Sequence, residues 1–129
     1  MKNGYEKKLL CLQKSFLFAG LPDSFLLQFL QTDGWQVKKF PKGTEIPGNH
    51  FLMLVLQGKV LAYQGAEQTI LRLFQKWDCL GAASLYAEQS FGLLRIVAAS
   101  HCEILFIPAE TVTDLRRTHW QINENYIAF

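Results

Sequence analysis

The chain has 129 residues, of which 50% are hydrophobic, 13% aromatic and 19% charged, and its formal net charge is +2. That composition suits one globular domain with one core and excludes a disordered chain. The near-neutral balance gives no reason to expect nucleic acid or a membrane as a direct partner: the pairs Lys7-Lys8, Lys38-Lys39 and Arg116-Arg117 are too dispersed to neutralise several phosphates together. The three cysteines, Cys11, Cys79 and Cys102, are odd in number and widely spaced, which argues against a disulfide framework and for a reducing compartment. No signal peptide is visible, and the longest uninterrupted apolar run, "FLMLVL" at 51–56, is far short of a membrane span. The expectation is a soluble, cytoplasmic domain.

In chain order, Tyr5, Leu9, Leu12 and Phe16 fall at helical spacing, with Gly20 as a stop. "LPDSFLLQFLQTDG" predicts a second short helix, with Pro22 and Asp23 in its first turn and Gly34 ending it. From Trp35 to Pro108 the period changes to short strands and turns. "WQVKKF" leads into the turn residues Pro41, Lys42 and Gly43, and Pro47-Gly48-Asn49 makes another turn. "FLMLVLQGKVLAYQ" reads as a strand pair or bent strand with Gly58 at the kink. "GAEQ" at 65–68 is a turn, "TILRLFQ" a strand, and "LLRIVAAS" and "CEILFIP" close the series. Many short strands at regular spacing suggest a sandwich or barrel. After Pro108 the helical period returns: Val112, Leu115 and His119 share a face, with Glu110 in the first turn. In "QINENYIAF", Ile122, Tyr126 and Phe129 form an apolar stripe at i, i+4 and i+7 that either pairs with a second copy or folds back on the β region. The uncapped end at Phe129 suggests a longer natural protein.

Motifs for catalysis are missing. His50, His101 and His119 are isolated, and His101-x-Glu103 offers two ligand-type side chains on one strand face, too few for a metal site. There is no Ser-His-Asp order, no nucleotide-binding glycine loop and no pair of catalytic carboxylates. The expectation is no enzyme, with catalytic residues, metal and cofactors all none.

Four stretches carry a likeness. They are "LFAGLPDSFLLQFL", "PKGTEI", "LVLQGKVLAY" and "KWDCLGAASLY…RIVAASHCEILFIP". In this order and spacing the chain resembles the cyclic-nucleotide-binding domain, and more narrowly the effector-sensing half of Crp/Fnr-type bacterial transcription regulators. The resemblance covers nearly the whole chain. It implies a mainly β fold with flanking helices, a β-roll (double-stranded β-helix jelly roll). Residues 5–34 would be the N-terminal helices, 35–108 the roll, and 109–129 the C-terminal helix and the start of a dimerisation helix. Trp77 stands where the family's Gly-Asp-x-x-Gly element has its first glycine.

The same likeness implies where a ligand would sit and which charges are gone. The pocket positions are Gly81, Ala82, Ala83, Ser84, Leu85, Gly92, Leu93 and Arg95. Members that bind cyclic AMP or GMP have a glutamate at the position of Ala82, an arginine at Gly92 and a small residue at Leu93. A buried phosphate needs a fixed cation or converging N–H donors. Arg95 lies three residues past the expected arginine, and an odd offset on a strand points to the other face. Phe51, Tyr63, Phe74 and Phe91 are candidates to line an apolar cavity.

The resemblance therefore implies an effector-sensing and homodimerising domain that does not bind cyclic AMP or GMP in the usual way. Its effector would be an unidentified small molecule, apolar or aromatic. Dimerisation would use Ile122, Tyr126 and Phe129, and DNA would be bound only through a C-terminal domain outside these residues. The alternatives are a free-standing ligand-binding β-roll, a true cyclic-nucleotide binder using Arg95, and last a cupin-type metalloenzyme, for which the sequence lacks a His-x-His. A thiol switch at Cys11 or Cys79 is a further reading; an iron–sulfur cluster would need closely spaced cysteines near the N-terminus, where only Cys11 lies.

Overall fold

The helical spacing of Leu9, Leu12 and Phe16 becomes helix α1 (Lys2–Lys14), which carries Cys11 and Leu12 to zero exposure. The Ser15 hydroxyl, itself buried, donates to the Leu12 carbonyl at 2.8 Å and closes the helix end. Helix α2 (Asp23–Leu30) starts behind Pro22 and buries Leu26, Phe29 and Leu30. It ends before Gly34 because the Phe29 carbonyl is taken by the amide and hydroxyl of Thr32, at 3.0 and 2.7 Å. This computed structural model describes residues 2–47, 50–64, 69–80 and 94–128.

The strand region gives β1 (Gln36–Phe40), β2 (Phe51–Gln57), β3 (Val60–Gln64), β4 (Thr69–Phe74), β5 (Cys79–Leu80), β6 (Leu94–Ala98) and β7 (Cys102–Pro108). They form two antiparallel sheets, in the orders β1-β7-β2-β5 and β4-β3-β6. The mainly β roll with flanking helices is the architecture that the motifs imply.

The apolar run of β2 is explained by burial on both faces. Leu52, Leu54 and Leu56 join Leu105 and Ile107 of β7 under α1 and α2. Met53 and Val55 point the other way, with Ile104 and Phe106, into the core shared with the second sheet. That inter-sheet core also takes Val60 and Ala62 of β3, Phe74 of β4, Leu80 of β5 and Ala98 of β6. Alternating residues of one strand thus serve two cores. Lys7 pins α1 to the sheet, donating to Gln57 at 2.7 Å and to Glu103 at 2.8 Å.

Behind Pro108 come α3 (Ala109–Thr118) and α4 (Trp120–Ala128). His119 between them is extended, at φ −133° and ψ 106°, so the two helices meet at a corner. Ile122 and Val112 are fully buried with the α1–α2 residues.

Gly58 is the kink between β2 and β3, where the chain passes from one sheet to the other. Its φ is +93°, and a Cβ there would collide with the His101 carbonyl and lie 2.9 Å from Cys102 Cα. Gly43 has a similar φ, +89°, with open space around it. Gly58→Ala is therefore expected to lose about 2–5 kcal/mol, from backbone strain plus collision. Gly43→Ala is expected to lose only about 1 kcal/mol, from strain alone. Urea unfolding of the two variants checks the difference.

Candidate functional site

The site implied by the sequence lies where β5 leads out of the four-stranded sheet and β6 enters the three-stranded one. Gly81, Ala82, Ala83, Ser84, Leu85, Gly92, Leu93 and the lining candidate Phe91 lie outside the described residues. The flanks are defined. Leu80 pairs with Met53 and is buried in the inter-sheet core. Leu94 pairs with Gln64 at the start of β6.

The turn before the site is built around Asp78. Its carboxylate accepts the Gln75 amide at 2.8 Å, and its own amide donates to the Gln75 carbonyl at 2.9 Å. The turn is sewn to β2 on both sides: the Trp77 amide donates to the Val55 carbonyl at 2.8 Å, and the Val55 amide to the Asp78 carbonyl at 2.9 Å. Trp77 has φ +76°, a left-handed conformation that is strained for any residue but glycine. This explains why the related element has glycine at that position. Here the indole packs against the helix-side core, with Lys76 Nζ 4.8 Å from its ring.

Strand parity decides where the remaining candidates point. Val60, Ala62, Ile96 and Ala98 share the face that looks into the inter-sheet core. Tyr63 pairs with Arg95, so both lie on the opposite face. Arg95 Nη2 is 3.6 Å from Glu45 Oε1, with 41% and 59% of the two side chains exposed. An exposed pair like this contributes about 0–1 kcal/mol. Arg95 and Tyr63 thus point away from the inter-sheet core. Phe74 is in the inter-sheet core, and Phe51 packs against it edge-on to Phe106 at 5.4 Å.

One charged residue that the sequence reading passes over does lie on the inner face. Arg72 pairs with Ala62 and shares the face of Phe74. Its guanidinium lies 4.8 Å from the Phe74 ring centroid. Its even offset from Phe74 was the available signal, but a register shift between Ala62 and Tyr63 interrupts simple alternation along β4.

The cysteines are placed for packing. Burial pushes the Cys11 thiol from its ordinary 9.0 up to about 12. Burial also raises the Cys79 thiol, helped by Cys11 and Asp78 and opposed by Arg72. Cys102 is fully buried and donates to the Lys59 and Ser100 carbonyls at 3.0 and 3.1 Å. At Cys11 and Cys79 the thiolate, the reactive form, is scarce at neutral pH. His101 precedes β7 and is exposed, while Glu103 is held by Lys7, so the two are not a ligand pair. Among the described residues no group of three or more His, Cys, Asp or Glu could hold a metal ion. Nor is any described helix long and apolar enough to cross a membrane.

The C-terminal corner corrects the apolar stripe. Ile122 is fully buried against the chain's own helices, so it is not available on the surface. Tyr126 packs partly buried on the same core, with Arg116 4.1 Å from its ring, and Phe129 lies outside the described residues. Asn125 fastens α4 by donating to the carbonyls of Leu17 and Ala19 at 2.9 and 2.8 Å. His119 stacks edge-on against Phe25 of α2 at 4.6 Å. Among the described residues of α4, the large apolar side chains that are exposed are Trp120, at 76%, and Ile127, at 67%.

No protein-family profile and no curated protein matches the sequence. Solved structures do. The sensor domain of the transcriptional regulator DNR from Pseudomonas aeruginosa is 14% identical, with 93% of this chain and 88% of that one covered at a TM-score of 0.76. The Catabolite Activator Protein of Thermus thermophilus is 24% identical, covering 88% of this chain and 55% of that one at 0.70. The regulatory domain of Toxoplasma gondii PKA, solved with cAMP, is 20% identical, covering 88% and 45% at 0.72. The chain thus spans about half the length of the last two.

The Cys11 environment makes a prediction with a definite sign. A thiol pKa raised in the folded state stabilises the fold fully below pH 9, and that contribution is lost as pH rises from 9.0 toward about 12. Cys11→Ala should flatten the fall of the unfolding midpoint across that window. At pH 8 a thiol-exchange reagent should leave Cys11 unlabelled until the chain is unfolded.

The architecture, the roll-to-helix order and these structural likenesses together establish that the chain has the fold of the cyclic-nucleotide-binding domain.

Proposed function

We propose that this chain is the effector-sensing domain of a Crp/Fnr-like transcription regulator. The observation that carries the reading is the likeness to the DNR sensor domain, which runs over nearly the full length of both chains. The reaction is binding, not catalysis. The effector is a small molecule with an apolar or aromatic body, held between the two sheets near residues 80–94.

Cyclic nucleotides are not its ligands in the usual manner. Ala82 and Gly92 supply neither the acid nor the arginine that the family uses, and Arg95 is engaged with Glu45 on the outer face. Effector binding would shift the roll against the α3–α4 corner, an effect that requires different affinity in two states. Trp120 and Ile127 are seven residues apart and so lie on one face of α4. Through them α4 would pair with a second copy, and a C-terminal segment beyond these residues would bind DNA.

The fastening of Ile122 and Asn125 onto the chain's own helices favours a second reading, a free-standing ligand-binding β-roll. Sedimentation separates the two. The regulator reading expects a dimer that Trp120→Glu converts to a monomer, whereas a wild-type monomer at high concentration favours the free-standing module.

Thermal unfolding tests the ligand side. A ligand at a hundred times its dissociation constant adds about 2.7 kcal/mol. Saturating cyclic AMP or cyclic GMP should leave the midpoint where it is, and a clear rise would refute the altered-pocket reading.

A further inference from the structure

We infer that Arg72 is the cation of the effector site and that it takes the carboxylate or phosphate of an anionic ligand with an aromatic or apolar body. The inference rests on the effector-domain reading above and goes beyond it by naming the ligand's charge and the residue that meets it.

Five observations carry it. The register Ala62↔Arg72 places Arg72 on the inner face of its sheet, with Val60, Ala62 and Phe74 across and along from it and Ile96 and Ala98 on β6. Arg95 and Tyr63 are on the other face. Arg72 is exposed despite this inward placement, so it stands at the margin of the apolar face, where solvent and a ligand can reach it. Among the described residues it has no ion pair, whereas Arg95 is matched to Glu45 and Arg117 to Asp114. Its partner is the Phe74 ring, 4.8 Å from the guanidinium carbon, and Phe74 is only 8% exposed.

The chemistry follows from that last contact. A guanidinium resting on a ring spends its face and keeps its in-plane N–H donors, the fork that matches a carboxylate or phosphate. The ring also restrains the side chain, so less freedom is lost when an anion arrives. A desolvating apolar wall of Ala62, Phe74 and Ile96 beside the cation suits a ligand with a charged end and an apolar body. The positive charge also reaches the site flank, since Arg72 lowers the Cys79 thiol against the other influences that raise it.

Calorimetric titration of benzoate, phenyl phosphate and neutral benzamide into the full chain tests this. Wild type should bind at least one anion more tightly than benzamide, and which anion wins distinguishes carboxylate from phosphate. Arg72→Gln should weaken that anion roughly ten- to hundredfold, the loss of a charge-assisted pair. Arg72→Lys should fall between, since it keeps the charge without the fork, and Arg95→Gln should bind as wild type. Arg72 is exposed, so the unliganded unfolding midpoints should agree, which keeps lost binding distinct from lost folding. Undiminished anion binding in Arg72→Gln, or a loss in Arg95→Gln instead, overturns the inference. Binding of benzamide but of neither anion overturns it while leaving the effector-domain reading in place. Silence from all three compounds overturns both.

Discussion

The pairing of β2 with β7 is the constraint on which the rest of the structure depends. Each strand is buried on both faces, so neither can follow a half-solvated alternation. Leu52, Leu54, Leu105 and Ile107 seal the helices onto the sheet, while Met53, Val55, Ile104 and Phe106 seal the second sheet from the other side. Fully burying each such side chain contributes about 1.5–3 kcal/mol. A one-residue slip would exchange the two cores at once, so the register is tightly set. Gly58 and the Asp78 turn are attached to these same strands, the first by close approach to Cys102 and the second through the Val55 backbone. The crossing at Gly58 and the turn at Asp78 are therefore both fixed to the doubly buried strands.

Much of this was legible in the sequence because the relevant signals are local. The change of period at Gly34 and again at Pro108 marks the helices off from the roll. Gly58 inside an apolar run marks the crossing between sheets. Trp77 stands out where related chains have glycine, and its positive φ shows the same requirement from the structural side.

Other features depend on partners that are distant in the chain. Ile122 belongs to a stripe at helical spacing, but spacing does not say what covers a stripe. The answer lies in Leu17 and Ala19, whose carbonyls accept from Asn125 more than a hundred residues away. The length of α2 was overestimated because the capping of Phe29 by Thr32 is as decisive as a glycine. Arg72 shares the face of Phe74 by simple alternation, but the register shift beyond it, between Ala62 and Tyr63, breaks the alternation over β4 as a whole and hides that face in the sequence. The pocket positions 81–85, 92 and 93 were read from likeness alone, and they lie outside the described residues.

In the proposed sensor, the effector would meet the inner apolar face of the three-stranded sheet with Arg72 at its margin, while the α3–α4 corner is fastened to the helix-side core. Hydrogen exchange followed peptide by peptide, in the free chain and with the saturating anion, tests most directly whether these parts act as a sensor. The account predicts slower exchange in β4 and β6, together with altered exchange across α3 and α4. Slowing confined to the strands, with the helix corner unchanged, would contradict a sensing role.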